Sequence, residues 1–387
     1  GNFLSWAATQ TIDPFRFALT GGYRVRDTPP ETWLEKARHS PGFGQYPDRS
    51  INGGTVGDAT PSGFGTFNLR IRDLRNEMYF TDTGNVGAPV LLVDYDPAIH
   101  NLGNTPVDRS RVYRVSVRVK VCDPVVGVEP FCKQYSQGWK PEGLIQEYHQ
   151  KLTYSVFAYL NENGAARNGG VMRARQKYVG PSTYYPGSPP VANIASEWDP
   201  ATGVLTRNPD TADAAATGNG VADSGVINYI NKFAQMTNRN PKGNDPVSEL
   251  YYTALRYFKN QGNVPEYSNM TGTAAQQYET ADGFPVITNW DDPMRYACQA
   301  NAILGIGDVY TWFDRGLPGG RAGNENVPNA VTLDTTVNVE TRIAQIFAME
   351  GFPANHTGNL FNGGRLDAPY IASLAYDAHT RDIRPVD

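Results

Sequence analysis

Leu152-Thr153-Tyr154-Ser155-Val156-Phe157-Ala158-Tyr159-Leu160 is apolar or β-favouring throughout, the pattern of a strand buried on both faces. Asn168-Gly169-Gly170 then supplies a turn into Val171-Met172-Arg173, which predicts a hairpin. Further on, Ala302-Ile303-Leu304-Gly305-Ile306-Gly307 reads as a second short buried strand ending at Asp308. Between them Asp245-Pro246 opens a helix whose apolar residues Val247, Leu250, Tyr251, Ala254, Leu255 and Phe258 fall at steps of three and four. Two more helices are marked by Ile343, Ile346, Phe347 and Met349, and by Ile371, Leu374, Ala375 and Ala378. Buried strands alternating with helices predict an α/β fold: an open, mostly parallel sheet flanked by helices and carrying large loop insertions.

Upstream, Tyr113, Val115, Val117, Val119 and Val121 alternate with Arg114, Ser116, Arg118 and Lys120, a period of two that predicts one half-buried strand running into Cys122. Lys140-Pro141-Glu142-Gly143 opens a short helix, and residues 2–22 read as helix, restarted at Asp13-Pro14 and stopped by Gly21-Gly22. Cys122 and Cys132 bracket a turn-rich loop containing two prolines and a glycine. The two thiols can meet there as a disulfide, the reading adopted, or stay buried and reduced; a zinc site would want further Cys or His at close spacing. A disulfide implies an oxidising compartment. Cys298 is left over, free or paired outside the chain.

The composition excludes several classes. With 40% hydrophobic and 19% charged residues the chain is neither a disordered polyampholyte nor a charged coiled coil. Gly 39 and Pro 28 of 387 residues predict long irregular loops, placed at 23–110, 181–224 and 316–338 as insertions in a domain spanning 1–387. A formal net charge of −5 gives no general attraction to nucleic acid or anionic lipid, and no apolar run reaches the roughly 20 residues of a membrane span. The chain opens Gly1-Asn2-Phe3 without an initiator Met, which suggests an internal piece of something longer, any export signal lying upstream.

Asp308, directly after a glycine-bearing strand, is the candidate ligand for Mg or Ca, because ligands in open α/β sheets sit beyond the carboxyl ends of strands and these cations take oxygen donors. A helix cap or a loop salt bridge is the plainer role for such a residue. Asp245 is the second candidate and, preceding Pro246, also reads as the cap of its helix. Asp210, Asp213 and Asp223, and the pair Asp291-Asp292, lack the ordered EF-hand pattern and read as solvated turns. No nucleophile elbow, P-loop, dinucleotide fingerprint or His-Glu-x-x-His run occurs.

Several ordered blocks together resemble the PilY1/PilC family of type IV pilus proteins. They include Gly1-Asn2-Phe3-Leu4-Ser5-Trp6-Ala7, Lys140-Pro141-Glu142-Gly143-Leu144, Arg167-Asn168-Gly169-Gly170-Val171-Met172-Arg173, Glu197-Trp198-Asp199, Asp245-Pro246-Val247-Ser248-Glu249-Leu250-Tyr251-Tyr252, Tyr296-Ala297-Cys298-Gln299, Ile306-Gly307-Asp308 and Ala378-His379-Thr380-Arg381-Asp382. The resemblance implies a von Willebrand factor A-like region of a large exported protein at the pilus tip, reached through the periplasm. Such a protein primes assembly with minor pilins and, in several members, attaches cells to host or abiotic surfaces. It also implies an A-domain ion site for Mg or Ca in which Asp308 matches the later Asp and Asp245 stands where a Thr belongs. The Asp-x-Ser-x-Ser run and first strand of that site would lie upstream of Gly1, so the site is incomplete here. The expected function is a non-enzymatic pilus-tip component; the alternatives are a purely structural stalk and a metal-assisted enzyme.

Overall fold

The computed structural model describes residues 2–38, 49–51, 53–59, 69–74, 76–81, 112–162, 167–237, 242–307, 311–321, 323, 325–353, 356 and 365–385. The chain divides into two compact units, Gly1–Leu152 with Val179–Thr206 and Ile230–Asn238, and Thr153–Tyr178 with Arg207–Tyr229 and Arg239–Asp387.

The first unit opens with α1 (Asn2–Ala8) and α2 (Ile12–Thr20). Gly21, at φ 82°, ends α2 as a left-handed cap, and the break before it is held by Asp13, whose carboxylate accepts the Gln10 and Ala37 amides at 2.8 and 2.7 Å. Next come β1 (Arg24–Thr28), β2 (Glu31–Glu35), β3 (Arg49–Ile51), α3 (Gly53–Ala59), β4 (Leu69–Leu74), β5 (Glu77–Thr81), β6 (Val112–Ser116) and β7 (Arg118–Val121). β3-β4-β5-β6 form one antiparallel sheet. Leu69 and Ile71, and Met78 and Phe80, two apart on their strands, share the face that packs with Ala7, Ala8 and Val56 in a small core. β1-β2-β7 form a second antiparallel sheet.

The alternating run Tyr113–Val121 is therefore two strands in two sheets, joined at Val117, and not one strand. Val119 on β7 is 56% exposed. Alternation specifies faces; it does not specify which neighbour a strand pairs with.

β8 (Cys132–Tyr135) and β9 (Gly138–Pro141) make a hairpin, α4 (Leu144–Glu147) follows, and β12 (Ser182–Thr183) pairs with β13 (Val191–Ala192). Gly143 is required by close approach, since a Cβ there would stand 2.3 Å from the Thr20 amide nitrogen. Lys140 is fully buried and tied to Asp27 at 2.7 Å, to Thr32 Oγ1 at 2.9 Å and to the Thr28 carbonyl. Burial alone would raise the Asp27 carboxyl, but Arg24, Lys140 and the Leu205 amide hold it below the usual range.

In the second unit β10 (Tyr154–Ala158) and β11 (Val171–Lys177) pair antiparallel, as the Asn168-Gly169-Gly170 signal predicts. Among the described residues β10 has this single partner, and it is half-buried along its length, where the sequence predicts burial on both faces. The helices are α5 (Thr211–Thr217), α6 (Val226–Lys232, shared with the first unit), α7 (Val247–Phe258), α8 (Pro265–Ser268), α9 (Ala274–Thr280), α10 (Asn329–Thr332), α11 (Val339–Met349) and α12 (Tyr370–Thr380). Tyr252 and Leu255 of α7, Ile343 and Phe347 of α11, and Tyr370 and Leu374 of α12 meet in the largest core, which also takes Leu317, Val331 and Val337 from the expected loop 316–338.

The mostly parallel open sheet is not what the described residues form: every ladder among them is antiparallel. The expected strand Ala302–Gly307 pairs with nothing among them, and Leu304 and Ile306 are 76% and 44% exposed. A short apolar run holding two glycines lacks the β-branched density and side-chain packing that hold a strand, and periodicity alone does not separate it from irregular chain. The architecture is mixed α/β, with small antiparallel sheets beside helices.

Candidate functional site

The start of α7 gathers the most unusual chemistry in the second unit. Pro246 occupies the capping position before α7, and the Asp245 carbonyl accepts the Val247 amide at 2.8 Å. The first-turn groups go to Asp314, fully buried, which accepts the Glu249 amide at 3.1 Å on Oδ1 and the Ser248 hydroxyl at 2.6 Å on Oδ2. A carboxylate supplied from sixty-odd residues downstream thus does what the adjacent Asp was expected to do. Asp308 lies outside the described residues. Asp245 is half-buried, and no pairing of the two can be described.

One residue further along α7, Glu249 is also fully buried. Its Oε1 accepts Asn168 Nδ2 at 3.1 Å and the Gly316 amide at 2.8 Å, and its Oε2 accepts the Gly169 amide at 2.8 Å. The next amide of the turn, Gly170, donates to Thr253 Oγ1 at 3.1 Å. Asn168-Gly169-Gly170 is therefore clamped along α7 by side chains one helical turn apart. Gly169 sits at φ 65°, and a Cβ on it would fall 2.1 Å from the Tyr267 ring. Glu325 completes the cluster: both its oxygens accept the Arg315 amide at 3.2 Å, on the other side of Gly316 from Glu249.

The electrostatics follow from burial. Desolvation, then the charges of Asp314 and Glu325, push the Glu249 carboxyl well above the carboxylate range, against the Gly169 and Gly316 amides that favour its charge. Burial pushes Asp314 up to about 8 despite the hydrogen bonds from Ser248, Glu249 and Thr311, and burial likewise raises Glu325. The arrangement can hold protons and fix two connecting segments on α7. Glu249 and Asp314, with no exposed surface, cannot reach a substrate directly.

The sequence singles out none of Glu249, Asp314, Glu325 and Asn168. A signal for the first existed: Glu249, Thr253 and Arg256 recur on α7 at steps of four and three, a polar stripe beside the apolar one, and all three are buried. Other carboxylates read as solvated turns are paired instead. Asp210 bonds Lys177, Asp213 bonds Arg175 at 3.0 Å, Asp223 bonds Arg207 at 2.9 Å, Asp291 bonds Arg175 at 2.9 Å and Asp292 bonds Arg384 at 2.8 Å.

In the first unit Cys122 and Cys132 form the expected disulfide, with Cα atoms 5.7 Å apart. Glu129, inside the loop, accepts the Cys122 amide at 2.8 Å. Among the described residues, Cys122, Glu129 and Cys132 are the only three His, Cys, Asp or Glu side chains within mutual metal-ligand reach, and the disulfide engages two of them. Cys298 is exposed.

Comparison with known proteins agrees with the block pattern. A family model described as the small alpha/beta domain of the PilY1 homolog matches residues 1–83, and one described as its second domain matches residues 189–368. A type IV pilus biogenesis factor PilY1 homolog of Xylella fastidiosa is 52% identical over the whole chain, which covers 33% of that relative's length. Another protein of the same description from that organism is 24% identical over 91% of the chain, covering 26% of the relative. The chain thus spans a third or less of the length of these relatives. No solved structure matches it. The aligned length takes in the whole chain, and the chain belongs to the PilY1 homolog family.

Proposed function

We propose that the chain is a non-enzymatic part of the type IV pilus machinery, exported through the periplasm to the cell surface, that supports assembly at the pilus tip together with minor pilins. The observation that carries this reading is 52% identity, over the full chain, to a type IV pilus biogenesis factor. The Cys122–Cys132 disulfide supports export, since such bonds persist in oxidising compartments. The enclosure of Glu249 and Asp314 favours a structural over a catalytic use of the perturbed carboxyls. Among the described residues no helix is long and apolar enough to cross a membrane.

The test is co-purification. The full-length protein from its own cells should retain minor pilins, and the same protein lacking residues 1–387 should lose them; equal recovery from both refutes the partner assignment.

Adhesion to host or abiotic surfaces is a second role of the same module, favoured by Val125 and Val126, which stand 91% and 85% exposed on the disulfide-closed loop. Replacing both with Ser should lower surface attachment while pilus number stays constant. A Mg or Ca site using Asp308 and Asp245 is a separate proposal, tested by calorimetry on the full-length protein. Saturable binding lost in Asp308→Ala supports it, and binding indifferent to that change removes it. The antiparallel ladders give a von Willebrand factor A sheet no support, and the assembly role does not depend on one.

A further inference from the structure

Glu249 and Glu325 flank Gly316 inside the second unit. A Cβ on that glycine would lie 2.6 Å from Glu249 Oε1 and 3.2 Å from Glu325 Oε2. Two carboxylates on either side of one glycine, Glu249 enclosed and Glu325 half-buried, repel strongly when both are charged, and one proton held by the pair removes that repulsion. A cation is a poor substitute for that proton. Both oxygens of Glu249 already accept N–H donors from Asn168, Gly169 and Gly316, whose positive ends would face any bound ion.

We propose that Glu249 and Glu325 form a one-proton carboxyl pair that latches the 167–170 turn and residues 311–321 onto α7, and that losing this proton releases both. The latch stands on the geometry of the second unit alone and holds whatever the chain contacts. An exported protein meets the pH of its surroundings, so a buried proton is a means by which those surroundings set how firmly the segments are held.

The neighbours set the direction. Facing the pair are Asp314 and Arg315, Lys242 from the stretch before α7, Tyr267 on α8 and Tyr159 after β10, while Asp245 acts on Lys242 and Tyr159, and Tyr252 acts on Tyr267. Tyr159 and Tyr267 have hydroxyls with no hydrogen-bond partner and stay neutral, so they offer no countercharge. Arg315 presents its backbone amide to Glu325 while its guanidinium Nε donates to the Asp367 carbonyl at 2.9 Å. Lys242 is itself pushed down to about 8 by burial, so its charge fades as the pH rises. The Arg315 charge pulls Glu325 down, but burial outweighs it, and no cation lowers Glu249, so the pair keeps its proton well past the usual carboxylate range.

The experiment is amide hydrogen exchange on the intact chain, corrected for intrinsic exchange, from about pH 5 to about pH 9, which brackets ordinary and raised carboxyl titration. Protection at Gly169 and Gly316 should fall by roughly tenfold for each pH unit across the window in which the pair loses its proton, as linkage to one proton requires. In Glu325→Gln the amide donates to Glu249 at every pH, so that fall should vanish. The amides of Ser248 and Glu249, held by Asp314, should keep their own pH response. Flat protection in the wild type, an unchanged fall in Glu325→Gln, or restoration at high pH by added Ca or Mg would overturn the latch. Should Glu325→Gln not fold, carboxyl-13C glutamate NMR of the wild type decides. A glutamate pair titrating above the ordinary range supports the latch, and its absence overturns it.

Discussion

Gly169 and Asp314 show how single residues govern this fold. Gly169 combines a left-handed backbone with a Cβ-sized gap already filled by the Tyr267 ring, so Gly169→Ala should cost at least about 1–3 kcal/mol from backbone strain alone, with more from the clash. Urea unfolding measures this, and an effect within a few tenths would contradict the packing described. Asp314→Ala strands the Ser248 hydroxyl and the Glu249 amide, for an expected loss of about 1–3 kcal/mol. Asp314→Asn, which keeps an acceptor, should lose less, and the ordering of the two variants by thermal midpoint is the check. Little of this was legible beforehand. Asp245 carries the sequence signature of a cap because it stands beside Pro246, but a residue distant in the chain also serves the first turn. Asp314 is invisible to a reading that runs along the chain. The disulfide was legible, since the nine residues between the cysteines, rich in turn formers, return the chain on itself.

Elements were easier to read than their partners. α7, α11 and α12 stand where three- and four-residue steps placed them, and the β10–β11 hairpin stands where its glycines did. The alternating run to Val121 was read as extended, correctly, and as one strand, incorrectly, because Val117 hands the chain from the β6 sheet to the β7 sheet without any break in pattern. The 302–307 run failed for the opposite reason: its apolar character looked like burial, and Leu304 is exposed. Which strands lie parallel is a long-range property that local patterns do not encode. At this scale the Cys122–Cys132 loop carries a test. Replacing both cysteines by Ser removes closure of a short loop, with an expected loss of about 2.5–3 kcal/mol in the chain-entropy model. Denaturant unfolding of the wild type with and without a dithiol reductant should show the same difference; equal midpoints would show that the loop is held by its hydrogen bonds instead.

For the molecule as a whole, the buried carboxyls set a pH dependence. Asp314, raised to about 8, binds its proton more tightly folded than unfolded. Between the ordinary carboxylate range and about 8 the folded chain therefore holds the extra proton, and stability falls as pH rises through that window before levelling off. Thermal midpoints measured across the window should decline, and Asp314→Asn should flatten the decline. A midpoint rising from pH 5 to pH 8 in the wild type and unchanged in the variant would contradict the burial described. Family membership was legible in the ordered blocks, and two of them, Asn168-Gly169-Gly170 and the start of α7, prove to be bound to each other. The role in pilus assembly is tested most directly by counting surface pili on cells whose full-length protein lacks residues 1–387. The account predicts a marked loss of pili with the truncated protein still exported, restored when the segment is returned. Wild-type piliation without the segment would contradict it.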